Sequence, residues 1–383
     1  MIPVSEDGGV DSDSAGPFQD PATRRLLLLD GLRGFAALWV AMLHFYLMKA
    51  AVFSEMLPAP LLLFLRSGGL GVDIFFVLSG FVIAHTVRQR WITSSLIGRF
   101  VLRRSLRLDP PYWIVMALFL AGYCLAVGVR PVYQYWGWQA LLANMFYVHD
   151  LLGIHPRGAS EPFPVLGVAW TLCLEVQFYL AFVCLAALSQ RIARWRPYCA
   201  GLLFGPLALF SVFRWYFRND WHFFGLWHMF FMGVCLHWAL NKSRWKPWFW
   251  ICVCLLGLLA VYKRNPEGAT AVATLCLIYI AAMRKRLHCG LNFRWLQYLG
   301  RISYSLYLVH LPFGTFVVSY LSARFHSHRA VSLVIASGFF ATLLAAHLIN
   351  VLIELPAIRL SRRIKLTPDS SRQYASAIAG ALS

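Results

Sequence analysis

The chain has 383 residues, of which 59% are hydrophobic and only 13% are charged. Soluble domains carry about 25% charged residues, so this composition argues against a soluble enzyme and predicts an integral membrane protein. The net charge of +19 is typical of nucleic-acid-binding proteins. Lys and Arg also accumulate in the cytoplasmic loops of membrane proteins, however, and we expect no nucleic-acid partner. The nine cysteines lack CxxC or other metal-type spacing, so neither a zinc site nor a disulfide framework is expected.

The apolar runs divide the chain into one membrane domain, expected at 26–360, and two tails. Residues 1–25 are polar and acidic and are predicted to form a disordered cytoplasmic tail, and residues 361–383 a second one. Between the tails, ten runs are long enough, or nearly so, to cross a bilayer. They lie at about 31–52, 68–87, 111–129, 168–189, 199–217, 222–240, 247–262, 268–283, 296–320 and 330–354.

The distribution of positive charge predicts the topology. If the N-terminus is cytoplasmic, most of the 35 Lys and Arg residues fall on the cytoplasmic side of the alternating runs. The sequence therefore predicts an all-α, polytopic protein with about ten transmembrane helices and both termini in the cytoplasm. The cytoplasmic stretch 88–108 mixes Arg with apolar residues at helical spacing and predicts a helix on the membrane surface. The long outer stretch 130–167 suits either a lid or acceptor-binding loop, or an interfacial aromatic belt.

The first run, LDGLRGFAALWVAMLHFYL at 29–47, keeps two ionisable residues, Arg33 and His44. His44 lies eleven positions after Arg33, which corresponds to about three helical turns, so both side chains share one face, about 16 Å apart along the axis. Ionisable residues in membrane spans usually face the protein interior and mark function. We therefore expect Arg33 and His44 to belong to a functional site.

Three further ionisable residues lie in apolar runs: Asp73, Glu175 and His310. Helical rise places these three and His44 in one slab of the outer half of the bilayer. A histidine beside a carboxylate can act as a general base, so we expect a catalytic group here, with the pairing of carboxylate and histidine left open. Glu354, near the inner end of the last run, is expected to pair with Arg301 in a structural role.

Arginines concentrate on the cytoplasmic side of the predicted slab. Arginine binds phosphate groups bidentately, so these side chains predict a site for a polyphosphate donor that arrives from the cytosol. The acceptor would then arrive from the opposite side. The arginines in question are Arg33, Arg103, Arg104 and Arg107.

Five stretches, taken together, resemble acyltransferase family 3, the integral-membrane O-acyltransferases that modify bacterial glycans and other hydroxyl compounds. They span residues 29–360, and their joint occurrence in this order is more specific than any one of them. The stretches are LDGLRGFAALWVAMLHF, GGLGVDIFFVLSGFVI, RFVLRRSLRLDPPY, WTLCLEVQFYL, and SYSLYLVHLP followed by IELPAIRL.

The resemblance implies an acyltransferase of the class that transfers groups other than amino-acyl groups, with acyl-coenzyme A as the donor substrate and no metal. Arg33 and His44 match the family's paired essential residues, and Arg104 and Arg107 match its arginine motif near the donor site. Family members often carry an extra extracytoplasmic hydrolase-like domain, which we do not expect in this chain. The remaining residues that the motifs place at the site are Glu175 and His310, with Trp170 and Tyr304 as substrate contacts.

These observations together predict a multi-pass protein of the bacterial inner membrane that moves an acyl group, most simply acetyl, to a hydroxyl of a glycan. Lipopolysaccharide O-antigen, exopolysaccharide and other cell-surface saccharides are candidate acceptors. His44 would act as a general base or would carry the acyl group as a covalent relay, and the sequence leaves both open. The alternative is a transporter of an acyl group, glycan or lipid-linked precursor that uses the buried His, Glu and Asp as a proton relay. A non-catalytic scaffold would leave the buried ionisable residues unexplained.

Overall fold

The computed structural model describes residues 25–87, 92–127, 129–149, 151–152, 165–193, 199–218, 222–322, 324–325, 327–364 and 366. The tails expected at 1–25 and 361–383 lie almost wholly outside these residues. Within the described ranges the secondary structure is entirely helical, and the predicted all-α class is confirmed.

Fourteen α-helices follow one another along the described part of the chain. Two 3-10 segments, Ser67–Leu70 and Ser243–Trp245, and one π-helical segment, Asn350–Glu354, join some of them. The α-helices are α1 (Leu27–Met48), α2 (Ala50–Met56), α3 (Ala59–Arg66), α4 (Gly71–Val87), α5 (Ser94–Val127), α6 (Val129–Met145), α7 (Ala169–Ala193), α8 (Cys199–Arg218), α9 (Phe223–Asn241), α10 (Lys246–Tyr262), α11 (Pro266–Met283), α12 (Arg294–Ser322), α13 (His328–Ile349) and α14 (Leu355–Arg363).

Nine helical stretches among the described residues are long and apolar enough to cross a membrane, which confirms the polytopic prediction. Helix α8, 20 residues long, occupies the position of the fifth predicted span. The stretch 88–108, expected to form a surface helix, is helical in its described part from Ser94 onward, where it forms the first half of α5, one continuous helix of 34 residues. Two of its arginines, Arg104 and Arg107, line the cavity described below.

Helices α1 and α12 cross at the centre of the fold, and glycines allow their backbones to touch. A Cβ atom added to Gly34 would lie 2.6 Å from the backbone nitrogen of Gly300. Such close approach through small residues is a common way for membrane helices to associate. Gly34 and Gly300 are 266 residues apart, and so are His44 and His310. The constant offset shows that the two helices run parallel.

A second glycine contact joins α4 to α9. A Cβ atom added to Gly233 would lie 2.8 Å from the backbone nitrogen of Phe81, and Gly80 packs in the same way against the carbonyl group of Phe230. Helix α4 is apolar around most of its circumference, as expected of a helix surrounded by other helices. The contact at Gly34 and Gly300 thus holds α1 against α12, and the contact at Gly80 and Gly233 holds α4 against α9.

We expect Gly233→Leu to destabilise the protein by about 1–3 kcal/mol, because the added side chain has no space against the α4 backbone. Gly122→Leu is the matched control, since nothing lies within 4 Å of a Cβ added there. Thermal unfolding of the detergent-purified variants measures both effects. Equal unfolding temperatures for the two variants would contradict the close α4–α9 contact.

Candidate active site

Helices α1 and α12 bring two imidazole rings into contact in the protein interior. The ring centroids of His44 and His310 are 4.9 Å apart, and Nε2 of His310 lies 3.2 Å from Nδ1 of His44. His310 is fully buried, whereas His44 is half-buried. The pair joins the first helix of the chain to a helix near its end.

Main-chain carbonyl groups determine which nitrogen of each ring carries the proton. Nδ1 of His44 lies 2.9 Å from the carbonyl oxygen of Val40, and Nδ1 of His310 lies 3.2 Å from that of Leu306. A carbonyl oxygen can only accept, so both Nδ1 atoms are donors. Nε2 of a neutral His310 is then a second acceptor, and the single Nδ1–H of His44 is shared between it and the Val40 carbonyl oxygen. Nε2 of His44 keeps a free lone pair. This arrangement suits a base or nucleophile with a defined orientation.

A cavity lies beside α1, and its two compartments share Arg33, Phe75, Glu175 and Tyr304. The first compartment, called the arginine compartment below, is also lined by three cationic or polar side chains from α5 and α4. These are Arg104, Arg107 and Ser79. The second, called the tyrosine compartment, adds polar side chains from α7 and α12 and apolar ones from α4 and α7. These are Thr171, Ser303, Tyr307, Val72, Phe76 and Leu172.

The arginine compartment carries an excess of positive charge, because Arg33, Arg104 and Arg107 share it with Glu175 as the one acidic residue among its described lining. The buried Nε atoms of Arg33 and Arg104 have no hydrogen-bond partner within the described part of the chain. Buried cationic donors without partners favour an anionic ligand. The compartment can therefore bind phosphate or carboxylate groups.

Glu175 orients the arginine compartment from α7. Its Oε1 atom accepts a hydrogen bond of 2.9 Å from the Ser79 hydroxyl and another from the Tyr179 hydroxyl. The guanidinium group of Arg104 lies 4.0 Å from the same oxygen and 4.1 Å from the centre of the Tyr179 ring. These contacts hold Arg104 in place between a carboxylate and an aromatic face.

Two hydroxyl groups of the tyrosine compartment, those of Tyr307 and Thr171, are hydrogen-bonded to each other, and this pair is called the latch below. The oxygens of Tyr307 and Thr171 are 2.7 Å apart, and each lies 3.2 Å from the carbonyl oxygen of Val168. One hydroxyl donates to the other, and that one donates to the carbonyl. The Tyr307 ring is 5.5 Å from the His310 ring, so this tyrosine lies beside both the cavity and the histidine pair.

The structure brings together most of the residues that the sequence selected, but in two groups. His44 and His310 form the pair, while Arg33, Arg104, Arg107, Glu175 and Tyr304 line the cavity. The expectation that a carboxylate orients a histidine is wrong: among the described residues, neither imidazole is hydrogen-bonded to a carboxylate. The physical reason is that Glu175 is held by Ser79, Tyr179 and Arg104 instead.

Three further selected residues belong neither to the histidine pair nor to the described lining of the cavity. Asp73 is 2% exposed and has Glu267 as its electrostatic neighbour. Arg103 occupies α5 without lining either compartment. Trp170 packs edge to face on Phe76, which does line the tyrosine compartment.

Sequence reasoning misplaced the partner of Glu354. Its Oε2 atom accepts hydrogen bonds from the Ser305 hydroxyl at 2.6 Å and from the Asn350 side chain at 2.8 Å. The expected pairing with Arg301 is therefore wrong, and the nearby cation is Arg107. The π-helical segment makes this possible, because Asn350 and Glu354 both point at α12. The sequence feature that marked Glu354 was the presence of an acidic residue within an apolar run.

The described residues contain no group of three or more His, Cys, Asp or Glu side chains that could hold a metal ion.

The chain is similar to known proteins over most of its length. A family model described as an acyltransferase domain matches residues 26–351. The exopolysaccharide production protein ExoZ of Rhizobium meliloti (strain 1021) is 27% identical over 82% of this chain and 94% of its own length. The putative membrane-bound transacylase BcsY of Komagataeibacter xylinus is 25% identical over 85% of this chain and 81% of its own length.

A shorter match covers 40% of this chain, at 29% identity, and 22% of the peptidoglycan O-acetyltransferase OatA of Listeria monocytogenes serovar 1/2a. No solved structure shows a significant match to the chain.

We expect Glu175→Ala to lower the free energy of unfolding by about 1–3 kcal/mol, because it removes the acceptor of two hydroxyl groups and the partner of Arg104. Glu175→Gln is the control, since its amide oxygen still accepts from Ser79 and Tyr179. Thermal unfolding in detergent measures the difference. Equal unfolding temperatures for the Ala and Gln variants would show that these hydrogen bonds contribute nothing to stability.

Proposed function

We propose, on the premise that the chain belongs to acyltransferase family 3, that it moves an acetyl group from cytoplasmic acetyl-coenzyme A to a hydroxyl of a cell-surface polysaccharide. The chain is a multi-pass membrane acyltransferase. The donor, the acetyl group, the acceptor and the bacterial inner membrane as its location are the proposed parts. Relatives named for exopolysaccharide production and for peptidoglycan O-acetylation support a saccharide acceptor.

The arginine compartment supports a coenzyme A donor. Coenzyme A carries phosphate groups at one end and its thioester at the other, on a flexible arm. Arg33, Arg104 and Arg107 offer forked donors that match phosphate oxygens. Because the tyrosine compartment shares four lining residues with the arginine compartment, the two adjoin, and the arm would extend from the arginines toward Tyr307.

The single observation that carries the chemistry is the hydrogen bond from Nδ1 of His44 to Nε2 of His310. It directs the free lone pair of His44, on Nε2, away from the pair. In direct transfer, Nε2 of His44 takes the proton of the acceptor hydroxyl as the hydroxyl oxygen attacks the thioester carbon. The carbon–sulfur bond then breaks, and coenzyme A leaves as a thiolate that receives the proton from His44.

In a relay, Nε2 of His44 attacks the thioester carbon itself, and coenzyme A leaves as the thiolate. The acyl-imidazolium passes its Nδ1 proton to Nε2 of His310. The acceptor hydroxyl later attacks the acyl carbon, the bond from that carbon to Nε2 of His44 breaks, and His310 returns the proton to Nδ1 of His44. The hydroxyl proton leaves to water and balances the negative charge of the released thiolate. Both routes place positive charge on His44, and His310 stabilises that charge as a hydrogen-bond acceptor.

A transfer assay with the purified protein, labelled acetyl-coenzyme A and a polysaccharide acceptor tests the function. We expect label in an alkali-labile ester, and a loss of about 10²–10⁴-fold in rate for His44→Ala. His288→Ala is the control, because His288 lies on an exposed loop. Label that stays in the donor with the unmodified protein would refute the proposed reaction. Label on the denatured protein after donor alone, absent in His44→Ala, selects the relay.

The role of His310 has its own test. We expect His310→Phe to lower kcat by about 10²-fold or more with little change in the KM for the donor, because the side chain that shares the Nδ1–H of His44 and can receive its proton is lost. His310→Gln should recover part of kcat, since its amide oxygen can accept that hydrogen bond. Steady-state kinetics of the two variants, at matched thermal stability, measures the difference. Equal kcat values for Phe and Gln would show that His310 has only a packing role.

A further inference from the structure

The tyrosine compartment, which lacks Arg104 and Arg107, is lined by apolar side chains of α4. Among the residues of α4 that line the cavity, Val82 and Ser79 belong to the arginine compartment, Phe75 to both, and Phe76 and Val72 to the tyrosine compartment. The cavity thus follows α4 for about 15 Å. A donor whose phosphates lie against the arginines places its acyl end against Val72 and Phe76.

Phe76 is a fixed part of this wall. Its side chain is 3% exposed, and its ring lies 4.5 Å from the ring of Phe230 on α9. Trp170 packs against it edge to face, with 6.4 Å between the ring centres. Phe230 in turn stacks on Phe178 at 4.5 Å. The Phe76 ring therefore has no free space behind it, and a longer ligand cannot displace it without opening the aromatic core.

Val72 completes the wall one helical turn away, on the same face of α4 as Phe76. The backbone beneath it is also held firmly, because a Cβ atom added to the neighbouring Gly71 would lie 2.7 Å from the carbonyl oxygen of Ala36 on α1. Neither the side chains of Phe76 and Val72 nor the backbone of α4 can move easily to make room for a larger acyl group. The wall thus has a set position relative to the arginines.

We propose that Phe76, with Val72, limits the length of the acyl chain and restricts the enzyme to short-chain acyl donors. This inference rests on the proposed function, since it assumes a coenzyme A thioester in the cavity. Polar side chains of the same compartment, among them Thr171, Ser303 and Tyr307, come from α7 and α12 and are available to the thioester group. The apolar wall contacts the terminal methyl group of the chain.

The test compares acetyl-, butyryl- and hexanoyl-coenzyme A as donors for the unmodified protein, Phe76→Ala and Val72→Ala. One methylene in an apolar pocket changes selectivity by about 10–200-fold, so we expect kcat/KM for hexanoyl relative to acetyl to rise at least about tenfold in either variant. Phe249→Ala is the matched control, because Phe249 is a buried aromatic residue of α10 outside the cavity. Its donor preference should stay that of the unmodified protein.

Calorimetric titration with non-reactive S-ethyl- and S-hexyl-coenzyme A separates this inference from the proposed function. Tighter binding of the hexyl analogue to Phe76→Ala or Val72→Ala than to the unmodified protein supports the wall. An unchanged donor preference in both variants, with acetyl transfer retained, refutes the proposal that Phe76 and Val72 limit the acyl chain length. The proposed function is not affected by that result. Loss of acetyl transfer in both variants without a gain for longer chains also refutes the proposed limit on chain length. Absence of transfer from every donor by the unmodified protein refutes the proposed function itself.

Discussion

The hydrogen bond between His44 and His310 depends on the register of two parallel helices. Gly34 and Gly300 set that register about 15 Å along the axes from the imidazoles, because their missing side chains let the backbones touch. A shift by one residue would turn either imidazole by 100° and separate the pair. The orientation of one imidazole is thus determined by a contact three helical turns away.

The site keeps its full charges apart from its reacting groups. Arg33, Arg104 and Arg107 lie in one compartment with Glu175, whereas the histidine pair is built from neutral groups and main-chain carbonyls. In many enzymes a carboxylate orients the catalytic histidine and remains charged throughout. Here a second imidazole has that position, and it can itself receive a proton. The pair can therefore share one positive charge over two rings, which suits a low-dielectric interior better than a separate ion pair.

Much of the fold could be predicted from the sequence, because apolar length and the placement of Lys and Arg reflect the bilayer directly. The shared face of Arg33 and His44 also followed from helical spacing alone. The partner of His44 did not, since it depends on how segments 266 residues apart align in space. Helical rise predicted the depth of Glu175 and Asp73 in the membrane, but not the direction in which each side chain points around its helix axis. In the structure, both side chains face neighbours other than the histidines. The arginine pattern of α5 was equally compatible with a membrane surface and with a cationic cavity, and only the packing separates these cases.

The latch of Tyr307 and Thr171 has a consequence for the idle enzyme. Both hydroxyl hydrogens are used within the latch and against the carbonyl oxygen of Val168, so the resting wall presents oxygen lone pairs to the cavity. In the proposed reaction a lone pair cannot polarise the thioester carbonyl group, so either hydroxyl could activate the donor only after the latch has turned. The commitment of each acyl group would then await a single side-chain rotation.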